Sequence, residues 1–236
     1  MVVIKGIQKT TFVDYPGKIA ATIFTWGCNF RCVFCHNSAL VDVAKGKDLP
    51  VIPEEDILEY LKSRTHQLEG VCVSGGEPTI HPDLPEFIRK IKTLGYTVKL
   101  DTNGTNPDML AALLAEGLLE FVAMDIKGPI GLYSQIVNME VNQEHILRSI
   151  EIIKKSTVRH EFRTTVLPEF HKEEDIEAVG CMLRGAQHYS LQQFRASEGV
   201  LNPAYQEAVS YTALELNGMA KKYESFVKKV TVRGVA

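Results

Sequence analysis

At 236 residues and 45% apolar content, the chain can bury the core of one large α/β domain, so residues 1–236 are expected to form a single domain. A net charge of −3, with Lys and Arg scattered along the chain, gives no basic field for phosphate backbones and argues against a nucleic-acid partner. No apolar run approaches the roughly 18 residues of a membrane span, and the opening Met1-Val2-Val3-Ile4-Lys5 lacks the basic-then-apolar pattern of a secretory leader, so no membrane partner and a cytoplasmic location are expected.

In chain order, short β-rich runs fall at 19–25, 71–73, 97–101, 119–125, 160–166 and 189–194, separated by segments with helical spacing. Residues 37–53 form a loop on glycine, lysine and proline content. A helix over 54–66 is opened by Pro53 with Glu54, Glu55 and Asp56 in its first turn. Further helices are expected at 84–94, 107–115, 142–155 and 172–184, and a C-terminal helix at 204–223 with a tail to 236. Strands alternating with helices favour parallel pairing through right-handed crossovers. The expected fold class is therefore α/β, a partial (β/α)6 TIM-type barrel with parallel strands, with an open doubly wound sheet as the alternative.

Nearly every predicted strand ends in a polar cluster. The endings are Trp26-Gly27-Cys28, Ser74-Gly75-Gly76-Glu77, Asp101-Thr102-Asn103-Gly104, Asp125-Ile126-Lys127, Arg163-Thr164-Thr165 and Gln192-Gln193-Phe194-Arg195. Each taken alone could be turn punctuation. Parallel β/α folds, however, build their sites at the carboxyl ends of strands, where these groups would converge. Arg163 and Arg195 are then candidates for a forked contact with a carboxylate, or for satisfying backbone carbonyls at the rim.

The chain has five cysteines, and three lie in Cys28-Asn29-Phe30-Arg31-Cys32-Val33-Phe34-Cys35, within a loop spanning 26–37. Such crowding differs from the dispersed framework of a secreted disulfide protein and points to metal. Three thiolates can hold an iron–sulfur cluster with one iron left open to a small molecule. A Cys3His zinc site would draw on His36, which directly follows Cys35 and would need an awkward chelate. Cys32-Val33-Phe34-Cys35-His36 also matches the C-x-x-C-H pattern of haem attachment, a modification that requires export. Cys72, within an apolar strand, and Cys181, on a helix, read as small core residues.

The spacing C-x3-C-x-φ-C, with Phe34 at the aromatic position, resembles the radical S-adenosylmethionine (SAM) superfamily. Gly75-Gly76-Glu77 looks like the family's GGE element. The similarity is closest to the glycyl-radical-enzyme activases, whose Cys-His-Asn, Asp-Thr-Asn-Gly and Asp-(Leu/Ile)-Lys elements are matched by Cys35–Asn37, Asp101–Gly104 and Asp125–Lys127. Asp14-Tyr15-Pro16-Gly17 departs from the Asp-Gly-Pro-Gly of pyruvate formate-lyase activases and looks more like the short activating proteins of anaerobic ribonucleoside-triphosphate reductase.

The resemblance implies a [4Fe-4S] cluster on Cys28, Cys32 and Cys35 with one open iron, and SAM bound by Phe34, Gly75, Gly76, Glu77, Asp101, Asn103, Asp125, Lys127 and Arg163. Within it Phe34 would lie against adenine. It also implies a monovalent cation at Asp101, Thr102 and Asp125. The implied reaction is reductive cleavage of SAM to a 5′-deoxyadenosyl radical, which makes a glycyl radical on a partner enzyme, with flavodoxin or ferredoxin as electron donor. That partner is expected to be anaerobic ribonucleotide reductase; the rival readings are an activase of a formate-lyase-type glycyl radical enzyme, a radical SAM enzyme acting on a small molecule or peptide, and a noncatalytic iron–sulfur or zinc module. Five cysteines leave no room for a second complete cluster, and no residue need act as general acid or base.

Overall fold

The computed structural model describes residues 1–235; Ala236, the last residue of the expected tail, lies outside them. The chain divides into two compact units, the first comprising Met1–Asn29, Asn37–Thr102 and Asn106–Val122, the second Phe30–His36, Asn103–Thr105 and Ala123–Ala236.

The first unit holds β1 (Ile4–Thr11), β2 (Ala20–Thr25), α1 (Ser38–Val41), α2 (Val43–Gly46), α3 (Glu54–Ser63), β3 (Gly70–Gly75), α4 (Leu84–Thr93), β4 (Thr97–Thr102) and α5 (Pro107–Ala115). β2, β3 and β4 pair in parallel, with Thr22 opposite Cys72 and Cys72 opposite Lys99. Ala20, Ala21, Ile23, Val71, Cys72, Val73, Val98 and Leu100 are fully buried. Such near-continuous apolar runs are what a parallel strand covered on both faces requires. Helix α4 buries Leu84, Phe87, Ile88 and Ile91, a stripe at spacings of three and four that faces one side of a helix. Asn106 caps α5 by accepting from Met109 N–H at 3.1 Å, and Pro107 follows where a missing N–H costs nothing. Residues 37–53, read as a loop, carry the single-turn helices α1 and α2, the second capped by Asp42 through Ala44 N–H. β1 runs antiparallel to β2 and was not expected from the sequence.

β5 (Phe121–Asp125) begins in the first unit and ends in the second. The second unit continues with α6 (Tyr133–Val137), α7 (Gln143–Lys155), β6 (Arg159–Val166), α8 (Ile176–Met182), β7 (Tyr189–Gln193), α9 (Ala213–Tyr223) and β8 (Val230–Arg233). β6, β7 and β8 pair in parallel, with Thr164 opposite Leu191 and Leu191 opposite Val232.

The helix expected at 204–223 starts at Ala213. Thr212 and Glu215 form a capping box there, and 203–205 is instead a 3₁₀ turn whose Tyr205 stacks on Phe170 at 5.9 Å. The helix expected at 172–184 is likewise shortened to α8, because Asp175 accepts from Lys172 N–H at 2.9 Å and closes a 3₁₀ turn first. The fold class is α/β with parallel strands, as expected, with β1 added to β2 and β8 to β7. Among the described residues, no helix is long and apolar enough to cross a membrane.

Candidate SAM and iron–sulfur site

In the first unit, β2 delivers Trp26-Gly27-Cys28, and the Gly75-Gly76-Glu77 turn after β3 runs directly against it. Gly76 N–H donates to Thr25 C=O at 2.9 Å and Glu77 N–H to Gly27 C=O at 2.8 Å. A Cβ on Gly76 would lie 1.9 Å from the Gly27 oxygen, and one on Gly75, where φ is +124°, would lie 2.3 Å from Thr25 N. The double glycine is therefore demanded by backbone-to-backbone packing at the base of the cysteine loop. Gly27 N–H in turn donates to Leu40 C=O at 2.8 Å, and His81 Nε2–H donates to Trp26 C=O at 3.1 Å. Asn37 Nδ2–H reaches Gly75 C=O at 3.3 Å.

Glu77 is 1% exposed. Its Oε1 accepts from Thr79 N–H at 3.1 Å, Thr79 Oγ1 at 2.5 Å and Thr102 Oγ1 at 2.7 Å. Asp101, at the end of β4, is ion-paired with Lys99 and accepts from Ser74 Oγ at 3.1 Å through its other oxygen. Glu77, Asp101 and Thr102, three of the residues expected at the SAM and cation sites, thus belong to one hydrogen-bonded group with β3 and β4.

In the second unit, Cys32 is 7% and Phe34 5% exposed. Cys35 N–H donates to Cys32 C=O at 3.0 Å, closing a turn, and the segment is held from two sides. Arg31 and Val33 N–H bond to Val137 and Ile136 C=O, while Leu201 and Asn202 N–H bond to Cys35 and Val33 C=O. Phe34 packs with Ile136, Leu167, Phe170, Phe194 and Val200; its ring is thus a core member of this unit. His36 donates Nε2–H to Arg195 C=O at 2.6 Å and lies 5.3 Å from the Phe194 ring. With that nitrogen committed to a carbonyl, a Cys3His zinc site would have to use His36 Nδ1.

None of the five cysteines is in a disulfide. Burial pushes the Cys32 thiol up to about 11, against the pull of the Lys127 ammonium. A thiolate there needs further positive charge, which iron ligation supplies, and three thiols within one loop are the donor set that an incompletely ligated cluster requires. The donor types suit the group, although among the described residues no set of three or more His, Cys, Asp or Glu side chains stands together so as to hold a single metal ion.

In the Asp125-Ile126-Lys127 segment, Ile126 and Lys127 are each held through both backbone groups. Ile126 N–H donates to Arg163 C=O at 2.7 Å, and Thr164 Oγ1 donates to Ile126 C=O at 2.7 Å. Lys127 N–H donates to Tyr133 Oη at 3.1 Å. His171 donates Nε2–H to Lys127 C=O at 2.8 Å and accepts Leu167 N–H on Nδ1 at 3.0 Å, so its tautomer follows from its partners. Burial holds the His171 pKa below the ordinary imidazole range.

Among the side chains of this segment, Asp125 pairs with Arg163 Nε at 2.9 Å and Lys127 Nζ at 3.2 Å. Burial opposes ionisation of Asp125, but the two cations outweigh it and hold the carboxyl down at about 2. Burial disfavours the Lys127 charge as well, and Asp125 more than compensates, raising its pKa.

Arg163, expected to meet a ligand carboxylate, is engaged through Nε by Asp125. Arg195 donates Nη2–H to Gly234 C=O at 2.8 Å, the rim role that was its alternative. Asn103 accepts from Thr105 N–H at 3.0 Å and Thr105 Oγ1 at 2.7 Å, which shapes its own turn. The monovalent cation gains no support: the two carboxylates meant to hold it carry Lys99 in one case and Arg163 with Lys127 in the other, and Thr102 donates its hydroxyl to Glu77. Lys99, Tyr133 and His171 were missed from the sequence. For Lys99 a signal existed, a cation inside an otherwise apolar strand.

The sequence profile of the radical SAM superfamily matches residues 22–180. A provisionally named glycyl-radical enzyme activating enzyme of Methanocaldococcus jannaschii is 32% identical over 98% of this chain and 97% of its own length. A protein provisionally named GTP 3′,8-cyclase, from Saccharolobus solfataricus, is 42% identical, but over 34% of this chain and 25% of its own. Among solved structures, Streptococcus suis SuiB bound to S-adenosylmethionine shares the fold with a TM-score of 0.67 at 14% identity, over 88% of this chain and 48% of that one. The chain thus spans just under half the length of SuiB.

Proposed function

From its membership of the radical SAM superfamily, which makes the chain an enzyme of that type, we propose that Cys28, Cys32 and Cys35 hold a [4Fe-4S] cluster with one open iron. In this reading the protein makes a glycyl radical on a partner enzyme, anaerobic ribonucleotide reductase in the first instance. The observation that carries it is the end-to-end match to a relative named as a glycyl-radical enzyme activating enzyme. With the cluster held by these three thiolates, bound SAM would supply a reductively cleavable sulfonium and with it the chemistry for removing hydrogen from a glycine α-carbon. The electron comes from flavodoxin or ferredoxin.

The chain's own residues orient and shield. The loop 30–36, pinned by Val137, Ile136, Leu201 and Asn202, fixes the second and third thiols. Gly75, Gly76 and Glu77 bind the amino end of SAM, and Glu77 is held in one rotamer by Thr79 and Thr102. In this reading Asp125 and Lys127 meet the ribose and carboxylate regions of SAM, Asp101, Asn103 and Arg163 are among its further contacts, and Phe34, buried in the core of the second unit, acts through the packing that holds the cysteine loop. Preorganisation of this kind matters because buried groups already held in place cost no reorganisation when the ligand arrives.

A second reading, a radical SAM enzyme on a small molecule, has in its favour the 42% local identity to a protein named GTP 3′,8-cyclase. Anaerobic reconstitution followed by dithionite, SAM and the candidate reductase decides between them. A glycyl-radical EPR doublet on the reductase supports activation; 5′-deoxyadenosine without any radical on a reductase or formate-lyase partner favours the small-molecule reading.

A further inference from the structure

The cation expected at Asp101 has a resident substitute. Lys99 lies in mid-β4 with 1% of its side chain exposed, and its ammonium is ion-paired with Asp101. Residues two apart on a strand share a face, so the sequence Lys99-Leu100-Asp101 sets the two groups side by side by geometry alone. The ammonium also lies 3.7 Å from Cys72 Sγ and 5.8 Å from the centre of the Phe121 ring, soft neighbours that do not compete with the carboxylate for its charge. Ser74 Oγ holds the second Asp101 oxygen at 3.1 Å. Burying an ammonium is costly unless it is paired, and this one is paired with a carboxylate at a strand end of the candidate site.

We propose that Lys99 is a positioning residue that takes the place of a metal cation: it fixes and neutralises Asp101, so that the anionic end of SAM binds beside that carboxylate without Na⁺ or K⁺. The inference rests on the reading that Asp101 faces SAM. An ammonium and an alkali ion carry the same single charge, so either offsets the repulsion between a protein carboxylate and an anionic ligand. The lysine is tethered and cannot be dialysed away. Asp125 in the second unit has Arg163 and Lys127 for the same purpose, so both acidic positions carry countercharge from the chain itself.

Equilibrium dialysis of labelled SAM against the anaerobically reconstituted protein tests this, in choline, sodium and potassium chlorides at one ionic strength. Wild-type affinity stays within about twofold across the three salts, whereas Lys99→Met binds about tenfold more weakly in choline and recovers on adding Na⁺ or K⁺. A purely structural lesion would not be rescued by an alkali ion. A wild-type affinity that rises about tenfold with Na⁺ or K⁺ overturns the proposal, as does Lys99→Met binding as tightly as wild type in choline. If that variant does not fold, the wild-type series decides. If SAM binds in none of the salts, the proposed function has failed instead, and melting of the wild type in the three chlorides decides for Lys99. Equal midpoints support it, and a rise specific to Na⁺ or K⁺ overturns it.

Discussion

Replacing His171 with alanine removes the group that ties Lys127 to the second unit. His171 is 5% exposed, and two backbone groups depend on it: Lys127 C=O loses its donor at 2.8 Å and Leu167 N–H its acceptor at 3.0 Å. Leaving a buried backbone group without a partner costs about 1–3 kcal/mol each, less where water can enter. The ring also meets Phe34 and Phe170 edge-on, both at 6.4 Å between centres, so its removal opens a gap beside two buried aromatics at a further cost of about 1 kcal/mol.

The sum is about 3–7 kcal/mol, which for a chain of this length lowers the melting temperature by roughly 6–28 °C. Scanning calorimetry of the wild type and His171→Ala measures it. SAM affinity should fall alongside, since Lys127 is aimed from a backbone that has lost its anchor. A midpoint within about 2 °C of wild type would show that water replaces both hydrogen bonds and that the clamp is not what holds the segment.

Single Cys28→Ala, Cys32→Ala or Cys35→Ala variants should lose reconstituted iron and sulfide, measured chemically, whereas Cys72→Ala and Cys181→Ser should keep both. Gly76→Ala should destabilise the first unit by several kcal/mol, seen as loss of soluble protein or an early urea transition, because a Cβ there would stand 1.9 Å from the Gly27 oxygen. Glu77→Ala should weaken SAM binding and leave cluster content intact, by dialysis and iron assay on the same preparation. Burial lowers the folded-state pKa of His81, His160, His171 and His188, so the unfolded chain binds protons that the folded one refuses. Stability should therefore be full above the ordinary histidine value of about 6.5 and decline as pH falls below it; urea midpoints at pH 7.5 and 5.5 should differ in that direction, and less so in His171→Ala.

The six strands expected were legible because burial on both faces leaves a continuous apolar run in the sequence, as in Val71-Cys72-Val73. β1 was not, since Lys5, Gly6, Gln8 and Lys9 break any pattern and its pairing with β2 supplies what the residues do not. β8 has four residues, too few for a period to appear. At the site, local spacing betrayed the cysteine loop and the double glycine, though the double glycine proves to be fixed by the approach of Thr25 and Gly27. Tyr133 and His171 could not be read ahead. They act through hydrogen bonds to Lys127 across 6 and 44 residues of chain, and nothing in their immediate neighbours distinguishes them from ordinary core aromatics.

The most direct test of the account is the metal content and turnover of anaerobically reconstituted protein. About four irons and four sulfides per chain, with 5′-deoxyadenosine formed once dithionite and SAM are added and lost in Cys32→Ala, is the predicted result. Stoichiometric zinc in place of iron and sulfide, or 5′-deoxyadenosine formed equally well by Cys32→Ala, would contradict it.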